Sequence, residues 1–102
     1  MNIIRQGDVL LVATCKPATG KPTLDGNDII LAYGEVTGHA HRIAAPKDKA
    51  VLWDGGAERF LQVMDTVALT HEEHTAHTIA PGMYQVFIQI EYTPGELRNV
   101  AD

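Results

Sequence analysis

The sequence predicts an all-β fold, a small single-domain barrel or sandwich of about seven short strands, and three observations support this prediction. Turn-forming residues such as Gly20, Pro46, Asp54 and Pro81 divide the chain into segments that are too short for ordinary helices. Several segments alternate apolar and polar residues with period two, as half-buried strands do. No segment carries apolar residues at helical spacing over three turns.

Length and composition indicate one globular domain. The chain has 102 residues, of which 45% are apolar and 21% charged, an ordinary globular composition. A chain of this size holds a single core, so residues 1–102 are expected to form one β domain. Residues 16–28 are rich in Pro, Gly, Lys and Thr and are expected to form an exposed loop.

The predicted strands follow in order along the chain. Residues 9–14 form a continuous apolar run, typical of a strand buried on both faces, and residues 29–33 open a second β segment by alternation. Residues 51–53 and 59–64 flank the turn at 54–56 and predict a hairpin.

Two further segments complete the predicted strands. Residues 66–71 alternate with Val67 and Leu69 on the inner side. The longest strand is predicted over 83–92, where one face carries Tyr84, Val86, Ile88, Ile90 and Tyr92. Phe87 interrupts the polar residues of the opposite face.

Charge and cysteine content restrict the partners that we expect. The formal net charge of −5 argues against nucleic acid and against an anionic membrane surface, because both require an excess of cations. The longest apolar run, Val9 to Ala13, is far shorter than the roughly 20 residues of a membrane helix. The single cysteine, Cys15, and the absence of a signal-peptide pattern at the start favour a cytoplasmic protein.

The first of two histidine clusters is the run GEVTGHAH at residues 34–41. In an extended strand, His39 and His41 point to the same face about 7 Å apart, which lets both rings approach one metal ion. Glu35 has the same parity, and this face continues the apolar one of residues 29–33. Gly34 and Gly38 complicate this reading, since glycines within strands often mark bulges that reset the parity.

The second cluster is the run HEEHTAH at residues 71–77. His71 continues the inner face of the strand that precedes it and should point inward. His77 shares its parity with Ile79, whereas His74 falls on the opposite face of a strand. In a helical turn, all three histidines would share one face. The spacing differs from the His-Glu-x-x-His helix of zinc proteases.

The two clusters together predict a site for a divalent metal ion, with Zn, Fe, Ni and Mn as the ions that suit such ligands. The strongest candidate ligands are His39, His41 and His71, and the further candidates are His74, His77 and Glu35. In an enzyme, the ion would act as a Lewis acid or activate water, with Glu72 or Glu73 as general base. The alternative is structural: buried histidines satisfied by hydrogen bonds and exposed ones that are solvated.

The motifs resemble a group of short bacterial and phage-encoded proteins of unknown function. The shared pattern is Gln-Gly-Asp-Val (residues 6–9), Gly-Glu-x-Thr-Gly-His-x-His (34–41), His-x-Glu-His (71–74) and Gln-x-Glu-Tyr (89–92). This resemblance extends over nearly the whole chain and implies no particular activity.

Gly34, His39 and His41 are also similar to the first metal-binding motif of the cupin superfamily, whose members are small β-barrels that often hold one metal ion. One residue fewer separates the glycine from the first histidine, and Ala44 and Ala45 stand where cupins carry a glutamate. The resemblance therefore implies a β-barrel with a histidine site, and does not carry over the carboxylate ligand.

A second hypothesis is a non-enzymatic binding or assembly module of phage or mobile-element origin. It would act through protein–protein contacts, either as a homo-oligomer or with a host protein. Phe87 on an otherwise polar strand face supports this hypothesis. Histidines at such an interface could also make assembly depend on pH.

Overall fold

A computed structural model describes residues 3–34, 36–93 and 96–99 and confirms the all-β fold class. The described residues form twelve strands and no helix. The count exceeds the predicted number because two of the predicted segments are divided and because strands also form at residues 3–6, 21–22, 77–79 and 96–99, where none was predicted. The strands are β1 (Ile3–Gln6), β2 (Val9–Ala13), β3 (Lys21–Pro22), β4 (Ile29–Tyr33), β5 (Ala40–Ile43), β6 (Ala50–Asp54), β7 (Arg59–Val63), β8 (Val67–Leu69), β9 (His77–Ile79), β10 (Gly82–Ile88), β11 (Ile90–Thr93) and β12 (Glu96–Asn99).

The larger layer is a six-stranded sheet in the order β1-β2-β10-β7-β6-β3, and all of its neighbours are antiparallel. The apolar strand β2 lies between β1 and β10. Strands β6 and β7 form the predicted hairpin, with Asp54 opposite Arg59. The segment 16–28 contributes the short edge strand β3, where Pro22 is tolerated because an edge residue need not donate to a second neighbour.

The smaller layer combines two hairpins, β4–β5 and β8–β9. Arg42 and Thr70 join them, because each backbone N–H donates to the other's carbonyl at 2.9 Å. The two layers form a small sandwich, and the described strands do not close into the barrel that was the other predicted option. Apolar side chains of both layers meet in one core, namely Val9, Leu11, Ile29, Leu31, Ile43, Ala50, Leu61, Val63, Val67, Leu69, Ile79, Tyr84 and Val86.

The first histidine run does not continue one long strand from residue 29. Strand β4 ends at Tyr33, and β5 begins only at Ala40. Between them, Gly34 N–H donates to His39 O at 2.9 Å and His39 N–H donates to Val36 O at 3.0 Å, which closes a turn. The register also shifts between Ile30 and Ala32. The uninterrupted parity was therefore wrong: a turn, rather than the bulge that the two glycines had indicated, separates β4 from β5.

The predicted strand over 83–92 is likewise divided, into β10 and β11 at Gln89. Gln89 N–H donates to Asp8 O at 2.8 Å and so leaves the ladder of the six-stranded sheet to contact the β1–β2 turn. The described residues contain no helix long and apolar enough to span a bilayer.

Candidate functional site

The histidines meet at one end of the sandwich, where the β1–β2 turn approaches the start of β5 and the segment between β8 and β9. His41, on β5, lies in this region with 0% of its surface exposed, and His71, just after β8, is 8% exposed. Both were predicted to point inward, and their burial agrees with that orientation. Neutral or charged, a buried imidazole requires hydrogen-bond partners, and those of His41 come from the β1–β2 turn.

Gln6, the last residue of β1, fixes the orientation of His41. Its amide nitrogen donates to Leu69 O and to Thr75 O, both at 3.0 Å. Since these two carbonyls require the nitrogen of the amide on their side, the atom that lies 2.8 Å from His41 Nδ1 is Gln6 Oε1, which can only accept. The network therefore places a hydrogen on His41 Nδ1 and leaves Nε2 as the nitrogen whose state can vary.

Asp8 faces that second nitrogen. Asp8 Oδ1 lies 3.1 Å from His41 Nε2, and the two side chains are 1% and 0% exposed. Because Nδ1 already carries a hydrogen, a neutral ring would direct a lone pair at a carboxylate oxygen. The pair is stable only when a proton or another cation lies between these two atoms.

Three imidazole rings pack against one another within this region. The centroid of the His71 ring lies 4.3 Å from that of His41 and 4.7 Å from that of His74, and the His41 and His74 centroids are 5.9 Å apart. His74 Nε2 is buried and has no hydrogen-bond partner among the described residues. His39, which precedes β5, contacts the same group with its ring centroid 5.8 Å from that of His71.

Gly7 permits this close packing. It is the first residue of a two-residue turn between Gln6 and Val9 and has φ +55°, the pattern of a type II′ hairpin. A Cβ at this position would lie 2.7 Å from His74 Nε2 and 3.1 Å from His41 Cε1. A side chain here would therefore collide with the histidines.

The outer part of the site combines histidines with carboxylates. His39, His71 and Glu72 each direct one potential ligand atom to a common region, and these three atoms lie within 4.8 Å of one another. Glu72 Oε1 accepts the Ala40 N–H at 2.8 Å. That hydrogen bond is the main reason that the pKa of Glu72 lies below its ordinary value of 4.5; a second backbone N–H, from Glu72 itself, and the nearby Arg42 and His39 lower it further.

Glu73 contacts two of the histidines. Its Oε2 lies 3.5 Å from His39 Nδ1, and its backbone N–H donates to His71 Nδ1 at 3.0 Å. Since His71 Nδ1 accepts, a neutral His71 ring carries its proton on Nε2. An ion that binds His71 therefore either replaces the Glu73 N–H at Nδ1 or requires the turn at Glu73 to move.

The structure brings four of the six predicted site residues together: His39, His41, His71 and His74. His77 begins β9 opposite Leu69 and is not one of the residues that the ring contacts join. Glu35, the predicted carboxylate, lies outside the described residues. Glu72 is the carboxylate that the structure places beside His39 and His71.

Sequence reasoning assigned no chemical role to Gln6, Gly7 and Asp8. Their run was noticed only as part of a shared motif, and a Gly-Asp pair between two apolar segments is also an ordinary hairpin signal. The one available indication was the alternation of side chains. Gln6 and Asp8 occupy even positions, whereas the buried residues Val9 and Leu11 occupy odd ones. The two polar side chains can therefore point inward only if the turn interrupts the alternation. Because the sequence does not specify the geometry of the turn, it does not specify which way these side chains point.

Comparison with known proteins identifies a family. Residues 5–89 match the family described as Domain of unknown function (DUF8820), so the chain belongs to that family. No curated protein and no solved structure matches the chain. The family match includes both histidine clusters and the Gln6–Asp8 turn, and its description gives no activity.

Proposed function

We propose that this member of the DUF8820 family binds a divalent transition-metal ion through His39, His71 and Glu72. The observation that supports the proposal is the convergence of their ligand atoms within 4.8 Å of one another. Two imidazoles and one carboxylate suit Zn, Fe(II), Ni or Mn and leave coordination positions open for water or substrate.

The neighbouring backbone orients the ligands for this role. Ala40 N–H holds one oxygen of Glu72, and the low pKa of that carboxyl keeps it ionised near neutral pH. Such contacts outside the ligand set orient metal ligands and raise affinity. The bound ion would polarise an oxygen of a substrate or lower the pKa of a bound water. Glu73, beside His39, is the carboxylate placed to accept a proton from that water.

Metal content tests the proposal directly. The untagged protein is treated with EDTA, loaded with Zn²⁺, desalted and analysed by mass spectrometry of the metal. The double variant His39→Ala, Glu72→Gln should lose at least one equivalent. His77→Ala is the matched control, because His77 is a neighbouring histidine outside the ring contacts, and it should retain all the Zn²⁺. Equal Zn²⁺ content in wild type and the double variant would refute the proposal.

The hydrogen bond to His71 gives a second readout. If the ion binds His71, the Glu73 N–H must leave Nδ1 or move with its turn. The Glu73 amide should therefore show one of the largest shifts in a ¹H–¹⁵N spectrum when Zn²⁺ is added. An unchanged Glu73 amide at full Zn²⁺ occupancy would exclude His71 as a ligand.

A second candidate function, assembly with another copy of the chain, is favoured by the outer face of the six-stranded sheet. Phe87 is 41% exposed there and pairs across strands with Leu10, and Ile3 at the sheet edge is 56% exposed. Apolar residues on one open face are typical of interfaces. Sedimentation should detect an oligomer that Phe87→Ser dissociates, and a monomeric wild type at high concentration would exclude this function.

A further inference from the structure

Arg42 lies on β5 beside the carboxylate of the proposed metal site. Its backbone pairs with that of Thr70 through hydrogen bonds of 2.9 Å in both directions. Two residues away on each segment, the Ala40 N–H donates to Glu72 Oε1 at 2.8 Å. Arg42 and Glu72 are therefore diagonal neighbours on adjacent segments, a separation that a long side chain can bridge. The lowered pKa of Glu72 agrees with this placement, because the positive charge of Arg42 is one of its causes.

The positive charge of Arg42 is not matched by a contact within the part of the chain that the structure describes. The residue is half-buried, and its Nε is shielded from solvent without a hydrogen bond to any described group. Its guanidinium also forms no ion pair with a described carboxylate. A partly desolvated charge without such a contact is costly. An anion would compensate it, because the planar fork of arginine matches two oxygens of a carboxylate or phosphate group.

A groove of about 320 Å³ gives an anion access to this position. Its lining consists mainly of small and hydroxyl-bearing side chains and includes Ala44, Lys49, Thr66, Ala68, Thr70 and Thr78. The groove reaches Arg42 through Thr70, with which Arg42 is paired. Lys49 is charged, and none of the described lining residues is acidic. On a chain of net charge −5, this groove is therefore a surface that an anion can enter without strong repulsion.

We propose that the substrate of the metal site is an organic anion whose carboxylate or phosphate group binds the ion through one oxygen and Arg42 through another. The inference rests on the proposed function, because an ion held by His39, His71 and Glu72 supplies the first of these contacts. Such an ion keeps open coordination positions for a substrate oxygen. Arg42 orients the group through its paired N–H donors, and the groove holds the remainder of the molecule.

Cobalt(II) makes binding of the anionic group visible. The chain is freed of metal, loaded with Co²⁺ and titrated with acetate and, separately, with phosphate, while the visible absorption bands of the ion are recorded. In wild type, at least one of the two anions should change these bands saturably, and the anion that saturates at the lower concentration identifies the group. Arg42→Met should require about 10-fold more of that anion. Arg42→Lys, which keeps the charge but not the fork, should lie between the two.

Two controls separate the guanidinium from net charge and from the ion itself. Lys47→Met removes a positive charge from the turn before β6 and should bind the anion as wild type does. Imidazole, a neutral ligand of the ion, should change the bands at the same concentration in wild type and Arg42→Met.

Equal anion affinity in wild type and Arg42→Met, or an equal loss in Lys47→Met, would overturn the inference and retain the metal site. A wild type whose bands respond to neither anion would have the same consequence. If Arg42→Met fails to fold or to retain Co²⁺, the comparison is made with Arg42→Lys, and an affinity equal to that of wild type would then overturn the inference. A wild type that retains no Co²⁺ would overturn both the inference and the proposed function.

Discussion

Replacing Gln6 should destabilise the chain more than a polar substitution at the surface, because this one side chain makes two buried hydrogen bonds and one that is partly buried. Gln6→Ala leaves the carbonyls of Leu69 and Thr75 and the ring N–H of His41 without their partner. Each buried group left unpaired costs about 1–3 kcal/mol. Water that enters the cavity recovers part of this, so we expect a loss of about 3–5 kcal/mol in the free energy of unfolding.

The loss is large compared with the total stability of a domain, which is roughly 5–15 kcal/mol. Urea unfolding in the presence of EDTA measures it without a contribution from bound metal. With a slope of about 2 kcal/mol per molar urea, the midpoint should fall by roughly 2 M. Gln85→Ala is the matched control, since the half-buried Gln85 donates to Glu58 in an exposed hydrogen bond at 3.0 Å, and its loss should change the stability by less than about 0.5 kcal/mol.

Gln6→Glu removes the two hydrogen bonds that Gln6 donates but keeps the shape of the side chain. A glutamate can still accept from His41 Nδ1, but an ionised carboxylate cannot donate to the carbonyls of Leu69 and Thr75. We therefore expect Gln6→Glu to be at least as unstable as Gln6→Ala at neutral pH. If either variant unfolds at the midpoint of Gln85→Ala, then the Gln6 network does not organise this end of the sandwich.

Two further predictions concern the turn and the carboxylate. Gly7→Ala should lower the free energy of unfolding by about 1–2 kcal/mol because φ is positive at this position. It should lower it further because the new Cβ displaces His74. Gly38→Ala is the control, because Gly38 also has a positive φ but nothing lies within 4 Å of the new Cβ. The difference between the urea midpoints of Gly7→Ala and Gly38→Ala therefore measures the contact with the histidines. Equal midpoints would contradict that contact. Glu72 has a pKa below 4.5 in the folded chain, so its contribution is present above pH 4.5 and lost as the pH falls through the lowered value. Wild type should therefore exceed Glu72→Gln in stability at pH 7, and this difference should shrink toward pH 3; a constant difference would show that the Ala40 hydrogen bond does not favour the ionised form.

Local patterns were sufficient for the fold class and for most of the histidine cluster. Period-two alternation reports which side chains face the core, and Val67, Leu69 and His71 keep that alternation through β8 and two residues beyond it. His41 is buried as predicted, as is Ile43 two positions further along β5. Each of these successes depends on residues within a few positions of one another.

The remainder of the site depends on pairing between distant segments, which a single sequence does not specify. Gln6 and Leu69 are 63 positions apart, and their hydrogen bond exists only because the β1–β2 turn packs against the segment after β8. The parity argument also failed at residues 36–39, where a turn replaced the expected strand. Alternation has meaning only within one strand, so it predicted neither the position of His39 nor the contribution of Glu72.

The composition of this end of the sandwich is itself evidence of function. Apolar residues of the same volume would usually stabilise a small core as well as a buried ion pair does, or better. This chain instead buries Gln6, Asp8 and His41 and packs the His71 ring against that of His41. The hydrogen bonds from Gln6 to Leu69 O and Thr75 O and the close approach of the Gly7 turn orient the rings rather than adding apolar contact. Stability given up in favour of oriented nitrogens is typical of a binding site, and the metal-counting experiments address that site directly.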